Sequence, residues 1–403
     1  MILTALQSIL LVLIGIYFAW MIITHASTWV YFGRYDRNYP LSGYEPKVSI
    51  IKPVYGIDQS ALENFQSFCN QDYSNDYEIF FCVEDRADLS IPLIDRAIRE
   101  RPDRNMRLAL SDPKETRSLG KIKNMITGLA KSSFEVVIFS DSDAHVTPSF
   151  LRETTACVQN PGIGLGFGAP AFEGAEDWVA ALMNISVNEL VLPIATACHL
   201  GIFDGAVGTT MVARREVVEQ VGGLKPLGYQ ATDDISLARE ILKKGYQIHL
   251  LKQPARVFHR HDSFKRWWHH THRWLVIIHH YWPVKSFLKN LVMLAPWWSL
   301  FYIVISLVKE ESIYVGVSLI VAVLTASLIS SAIINLKFVH CNRLWRFLWV
   351  VPLQELFRLP LILHSYLRNE VDWRGRRFRI NSKCEMRLVM TPENLRQHES
   401  TLE

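Results

Sequence analysis

At 403 residues the chain can hold one large domain or two modest ones; 49% of it is hydrophobic, with 12 tryptophans and a positive mean hydropathy. The formal charge of +4 is too small to argue for a nucleic-acid partner, and a cytoplasmic membrane surface accounts for it more simply. Six scattered cysteines, with no Cys-x-x-Cys and no zinc-like spacing, read as reduced, mostly buried thiols in a cytosol-like compartment.

Residues 3–23 form a nearly uncharged apolar run, long enough for the roughly 20 residues of a spanning helix. No basic residue precedes the run, and it is too long for a signal-peptide core, so it reads as an anchor. Arg34, Arg37 and Lys47 follow, and the positive-inside bias puts the chain beyond them in the cytoplasm. From residue 47 to about 253, strands and helices alternate. Residues 47–54 read as a strand, 61–69 as a helix, and 77–83 as a second strand ending in Glu84 and Asp85. Residues 91–99 are helical, and a helix opening at Leu119-Gly120-Lys121 runs to about residue 131. Then comes Val136-Val137-Ile138-Phe139-Ser140-Asp141-Ser142-Asp143, an apolar run that ends in two carboxylates one residue apart. The alternation implies an α/β domain with a mostly parallel, doubly wound sheet. Both acidic tips then fall on one sheet edge, the edge where ligands of such sheets bind. Asp141 and Asp143 can offer hard oxygens to Mg²⁺ or Mn²⁺ and, through the ion, hold phosphate; the alternative is a turn whose acids cap the next helix.

Residues 148–158 are helical. The glycine-rich run 162–168 lacks the Lys-Ser/Thr and the helix of a phosphate loop, and reads as sheet with close backbone packing. Residues 178–203 are apolar and fit a core helix or a membrane-surface helix. After a helix over 215–221 and the turn Gly222-Gly223, Thr232 is placed to cap a helix whose first turn holds Asp233 and Asp234. Acids there are ordinary dipole partners, and a carboxylate facing the same crevice would make a general base. A short strand at 249–251 precedes the segment 264–282, which carries Trp, His and Arg at helical spacing, His270, Arg273 and Trp274 among them. Its histidines lack the spacing of a defined metal site, and an amphipathic helix in the headgroup layer is expected. Apolar spans follow at 291–308 and 313–336, around an acidic loop at Lys309-Glu310-Glu311 expected outside. Segment 344–367, interrupted by Gln354, Glu355, Arg358 and two prolines, reads as re-entrant or interfacial, because a full crossing would export the arginine-rich tail at 373–379. The expected organisation is an anchor (1–30), a cytoplasmic α/β domain (47–260), an interface helix (261–285), membrane helices (286–368) and a basic cytoplasmic tail (369–403).

A nucleotide-fold domain tethered at both ends implies one soluble and one lipid-borne reactant, and strand-end acids suit a nucleotide-activated donor. The order Asp85, Asp141-Ser142-Asp143, Asp233-Asp234, His270-Thr271-His272-Arg273-Trp274 resembles the D, D, D, (Q/R)xxRW pattern of ceramide glucosyltransferases, which are inverting membrane enzymes with the type-A glycosyltransferase fold. The resemblance spans nearly the whole chain, including Val83-Glu84-Asp85, Gly222-Gly223 and the 373–379 tail. It is nearest the bacterial branch that also includes hopanoid glycosyltransferases. It implies that Asp85 serves the uracil and ribose of a UDP-sugar, that Asp141 and Asp143 serve a divalent cation and the diphosphate, and that Asp234 is the catalytic base. Lys121 and Asp233 belong with the donor-binding set, and Arg273 and Trp274 with the leaving diphosphate and the acceptor entrance. The last motif opens with His270 where Gln or Arg is usual, and a histidine is not reliably cationic at neutral pH. The implied reaction moves glucose from UDP-glucose to ceramide, giving a β-glycoside, in a multi-pass protein of a bacterial inner membrane with its catalytic domain in the cytoplasm. Alternatives are UDP-N-acetylglucosamine or another UDP-sugar on a hopanoid or diacylglycerol, a processive polysaccharide synthase (disfavoured by only two clear C-terminal spans), and a catalytically dead receptor or scaffold (disfavoured because all the acids are present).

Overall fold

A computed structural model describes residues 1–35, 43–112 and 119–390; Arg37, the Arg34 side chain and residues 391–403 of the expected tail lie outside the described part. In chain order the first elements are α1 (Ile2–Tyr35), β1 (Val48–Val54), α2 (Ala61–Ser67), β2 (Tyr77–Val83), α3 (Ile91–Glu100), β3 (Asn105–Leu110), α4 (Gly120–Lys131), β4 (Val136–Ser140) and β5 (Ala144–His145). Next come α5 (Phe150–Val158), β6 (Ile163–Gly168), β7 (Pro170–Glu173), α6 (Trp178–His199), β8 (Thr210–Arg214), α7 (Arg215–Gln220), α8 (Asp233–Lys243), β9 (Gln247–Leu250) and β10 (Ala255–Phe258). The remainder is α9 (Phe264–Tyr281), α10 (Pro283–Met293), α11 (Ala295–Val308), α12 (Tyr314–Ala332), α13 (Val351–Leu367), β11 (Glu370–Trp373), β12 (Arg376–Ile380) and β13 (Met386–Met390). Two compact units result, one of Tyr35–Glu173 with Leu190–Arg260, the other of Met1–Arg34, Gly174–Glu189 and the chain from His261 onward.

The first unit is built on a seven-stranded sheet of order β3-β2-β1-β4-β8-β6-β9, parallel except at β8. Every residue of β1, β2 and β4 is buried, as the central strands of a sheet covered on both faces require. Val54 pairs with Val83, and Ile51 with Phe139, so β1, β2 and β4 end at one rim. The acidic tips therefore share an edge, as the alternation implies. Strand β3 was not legible in advance: it lies at the sheet's end, and Asn105 and Arg107, both exposed, break its apolar pattern. The glycine-rich strand is sheet, β6, and its glycines serve packing; a Cβ on Gly166 would fall 2.5 Å from Cys157 Sγ and 2.6 Å from Val212 Cγ1. Helix α6, divided between the two units at Glu189, is long and apolar enough to span a membrane, yet most of it is buried, as a core helix would be.

The second unit holds the other apolar helices. Among the described residues four helices, α6 included, are long and apolar enough to cross a membrane, or up to five counting the bent pair α10–α11 as one span. At the expected span 291–308 the run starts inside α10, and α10 and α11 meet at 53°. Pro296, in the first turn of α11, has no N–H to continue a ladder from α10. Residues 342–367, expected to be re-entrant or interfacial, also form a stretch of helix long and apolar enough to cross a membrane by length and composition alone. At one end of α1, Gln7 Nε2 donates to Ser306 Oγ (3.1 Å) and Lys309 Nζ to Thr4 Oγ1 (3.1 Å). Farther along, Tyr17 meets Ser327 and His25 meets Ser330, each at 2.8 Å, and Lys337 lies 3.4 Å over the Trp29 ring. Helices α1 and α12 thus run side by side in the same direction. Helix α9 forms as expected, but it buries Trp267, His272 and Leu275–Ile278 and packs on α10 and α13, so its apolar stripe is spent within the protein. The expected basic tail is, over β11–β13, a three-stranded antiparallel sheet.

Candidate active site

The rim of the sheet collects charge because four segments end there. At the tip of β4 the N–H of Asp141 donates to Thr209 O (2.8 Å), which fixes the backbone of the acidic turn against the start of β8. The Asp141 carboxylate lies 2.6 Å from Lys121 Nζ, and the same ammonium reaches Asp233 at 2.8 Å. One lysine at the start of α4 thus joins the tip of β4 to the first turn of α8. Burial works against its charge, but Asp141 and Asp233 outweigh burial and hold it above the ordinary lysine value. Asp141 itself is raised, by burial first, with Lys121 pulling the other way.

Asp234, the next residue along α8, is buried. Its Oδ2 accepts the N–H of Gly208 (2.9 Å) and its Oδ1 that of Ile235 (2.8 Å). Burial and then the neighbouring Asp233 push its carboxyl up to about 7, against Lys121 and the two N–H groups. That value suits a proton acceptor working near neutrality. Gly208 comes so close to the end of β6 that a Cβ on it would sit 2.7 Å from Gly168 O. Thr232 is the N-cap of α8 by position, but its side chain makes no capping hydrogen bond.

Of the residues singled out in the sequence, Lys121, Asp141 and Asp233 are brought together by ion pairs with Asp234 adjoining, and Asp143 completes the turn after β4. Asp85 stands exposed beyond β2, its Oδ1 accepting the N–H of Ala87 (3.0 Å). His270, Arg273 and Trp274 are on α9 in the other unit, where the His270 and Trp274 rings lie 6.4 Å apart and the Arg273 guanidinium stands 5.6 Å over the Trp373 ring.

Two supports escaped the sequence reading. Lys52, fully buried inside β1, donates to the Asp141 carbonyl (2.8 Å) and Ser140 Oγ (3.3 Å) from a position 3.8 Å over the Phe68 ring. Burial pushes it down to about 7, against the pull of Asp143, Asp141 and Asp58. Its place inside a strand is visible in the sequence, but its partners are not. Asp88 accepts the N–H of Gly56 (3.0 Å) and ties the loop after β1 to the loop after β2; an acid three residues past the expected one gave no signal.

Among the described residues no three His, Cys, Asp or Glu side chains are grouped to hold a metal ion by themselves. The donors present still fit a hard divalent cation, because Mg²⁺ usually takes one or two carboxylates and leaves its other positions to phosphate and water. The Lys121 ammonium between Asp141 and Asp233 marks the place as one organised around positive charge.

The chain matches the model of "Glycosyl transferase family 21" over residues 7–386. It is 25% identical over 212 residues to ceramide glucosyltransferase 3 of Caenorhabditis elegans, covering 52% of this chain and 46% of that one. It is 27% identical over 146 residues to an N-acetylglucosaminyltransferase of Sinorhizobium fredii, covering 36% of this chain and 34% of that one. The chain therefore spans about half the length, or less, of the curated relatives it matches. Among solved structures, a mannosyltransferase of Pyrobaculum calidifontis, in complex with GDP-Man and Mn²⁺, aligns at a TM-score of 0.50 with 16% identity, covering 89% of this chain and 98% of that one; the likeness is one of fold.

Proposed function

Because the chain belongs to glycosyl transferase family 21, we propose that it transfers glucose from UDP-glucose to the hydroxyl of ceramide, inverting the anomeric carbon. The observation that carries this reading is Asp234: a buried carboxyl pushed up to about 7, gripped by two backbone N–H groups, beside the Lys121–Asp141–Asp233 cluster on the ligand edge of the sheet. In the proposed reaction the lipid hydroxyl oxygen attacks C1 of the sugar and its proton passes to Asp234. The C1–O bond breaks on the opposite face, and its electron pair leaves with UDP. A single displacement on an α-linked donor gives a β-glycoside. Asp85 would hold the uracil and ribose, while Lys121 and Asp233 would orient the diphosphate. Asp141 and Asp143 would hold a divalent cation, which when bound neutralises charge on the diphosphate. His270, Arg273 and Trp274 would serve the leaving group and the acceptor entrance, and the α/β unit would face the cytoplasm.

A membrane-fraction assay with labelled UDP-glucose and ceramide, with and without EDTA, tests the reading beside an Asp234→Asn variant. A chloroform-soluble glycolipid is expected that needs the metal, and the variant should be slower by about 10²–10⁴-fold, the usual contribution of a general base. Turnover that survives loss of Asp234 would overturn the mechanism. The similarity to the Sinorhizobium fredii N-acetylglucosaminyltransferase favours a second reading, in which UDP-N-acetylglucosamine is the donor and a hopanoid or diacylglycerol the acceptor. The same assay with those substrates decides between the two.

A further inference from the structure

The C-terminal strands grip α9 at two residues one helical turn apart. His269 Nδ1 lies 3.0 Å from Asp372 Oδ2, and Arg377 Nε lies 2.8 Å from Asp372 Oδ1. Burial opposes ionisation of Asp372, but His269 and Arg377 hold its carboxyl well below the usual range. The next residue, Trp373, lies under the Arg273 guanidinium at 5.6 Å, within cation–π range, and packs on Phe378 at a ring separation of 6.3 Å. Residues i and i+4 of a helix share a face, so His269 and Arg273 are held from one side. Strands β11 and β12 pair Asp372 with Arg377 and Trp373 with Arg376, and only Arg374 and Gly375 join them, at φ +52° and +72°. Such a two-residue turn fixes strand register, and with it the place of both side chains.

We infer that the β11–β12 hairpin belongs to the donor machinery: Trp373 and Asp372 are positioning residues that aim Arg273, Trp373 by stacking on its guanidinium and Asp372 by anchoring the helix turn below it. The inference rests on the reading of Arg273 as a partner of the leaving diphosphate. A guanidinium stacks through its face and donates hydrogen bonds in its plane, so contact with Trp373 fixes its orientation without itself using the N–H groups. A long side chain aimed in advance loses less entropy when it engages its ligand. This gives the segment read from sequence as a basic tail a role in the reaction.

The test is a double-mutant cycle on the full chain in detergent, with kcat and the donor KM read for UDP-glucose beside thermal unfolding. Trp373→Leu should lower kcat/KM by about 3- to 30-fold, the range of a cation–π contact, and Trp373→Phe should restore most of the loss. In an Arg273→Gln background, Trp373→Leu should change kcat/KM by less than about twofold, because the residue through which it acts is gone. Asp372→Asn, which keeps the side-chain size, should follow the same non-additive pattern and serves if Trp373→Leu does not fold. Equal losses in both backgrounds, or a lowered melting temperature with unchanged kcat/KM, would make the hairpin a structural prop and overturn the inference. If Arg273→Gln alone leaves kcat/KM unchanged, the reading of Arg273 fails first, in a single variant, and the inference falls with it.

Discussion

As the proposed base, Asp234 would tie activity to stability with opposite signs. Its carboxyl is pushed up to about 7 by burial and by Asp233, while Lys121 and the N–H groups of Gly208 and Ile235 pull it down. A base must be ionised, so kcat/KM should rise with pH through about 7 and level off above it, and Asp234→Asn should abolish the rise. Folding responds in the other direction. An unfolded aspartate loses its proton near about 3.9, so from there to about 7 the folded state holds a proton that the unfolded state has shed. The stability from this group is complete below about 3.9 and is lost as pH rises through about 7. On the proposed mechanism, the ionised, active form is the less stable one. A kcat/KM profile flat across pH 6–8 would remove Asp234 as the titrating base. The residues of this site were unevenly legible. Asp141, Asp143 and Asp234 announce themselves by standing where a strand ends or a helix begins. Lys52 does not, because its partners lie in β4 and in the turn after it, and only the parallel pairing of β1 with β4 brings them within reach.

Gly208 shows how a whole element depends on one missing side chain. The segment entering β8 passes the end of β6 closely enough for Thr209 N–H to donate to Gly168 O (3.1 Å), and it delivers the Gly208 N–H to Asp234. In Gly208→Ala the new Cβ would meet Gly168 O at 2.7 Å, and backbone against backbone has no rotamer through which to yield. The strand entry should shift, at a cost of about 1–3 kcal/mol as for other overpacked sites. Weakening an N–H bond to the carboxylate should also move the pH profile to higher values. A lowered melting temperature together with an alkaline shift in kcat/KM is the expected pair of results, and an unshifted profile would detach Gly208 from Asp234. Elements were legible where burial is two-sided. β1, β2 and β4 are mostly apolar runs because both faces are covered, whereas β3 carries Arg107 and β11–β13 interleave charges with apolar residues, so the sequence pattern there does not announce a strand. The bend between α10 and α11 escaped for another reason: hydropathy measures apolar length, and the direction of a helix is not written in it.

At the scale of the molecule, the question is on which side of a membrane the chemistry takes place. The start of α1 is bonded to the end of α11 and the loop after it, through Gln7 to Ser306 and Glu311 and through Thr4 to Lys309. Those segments therefore share a side. The far end of α1, at Trp29, meets Lys337 at the far end of the α12 segment, and just beyond Trp29 the chain enters the α/β unit. If α1 and α12 both cross, the acidic loop at 309–311 and the entry to the α/β unit lie on opposite sides. The positive-inside rule gives the expected sides: Lys337, Arg343 and Arg346 lie past the far end of α12, so that side is predicted to be cytoplasmic. Thiol labelling can test this with little background, since all six native cysteines are buried. Ser312→Cys, in the exposed loop, should react with a membrane-impermeant maleimide on intact cells. Lys131→Cys, at the exposed end of α4, should react only after the membrane is opened. The opposite pattern would reverse the assignment of sides, and reaction of both sites on intact cells would mean that α1 and α12 do not cross.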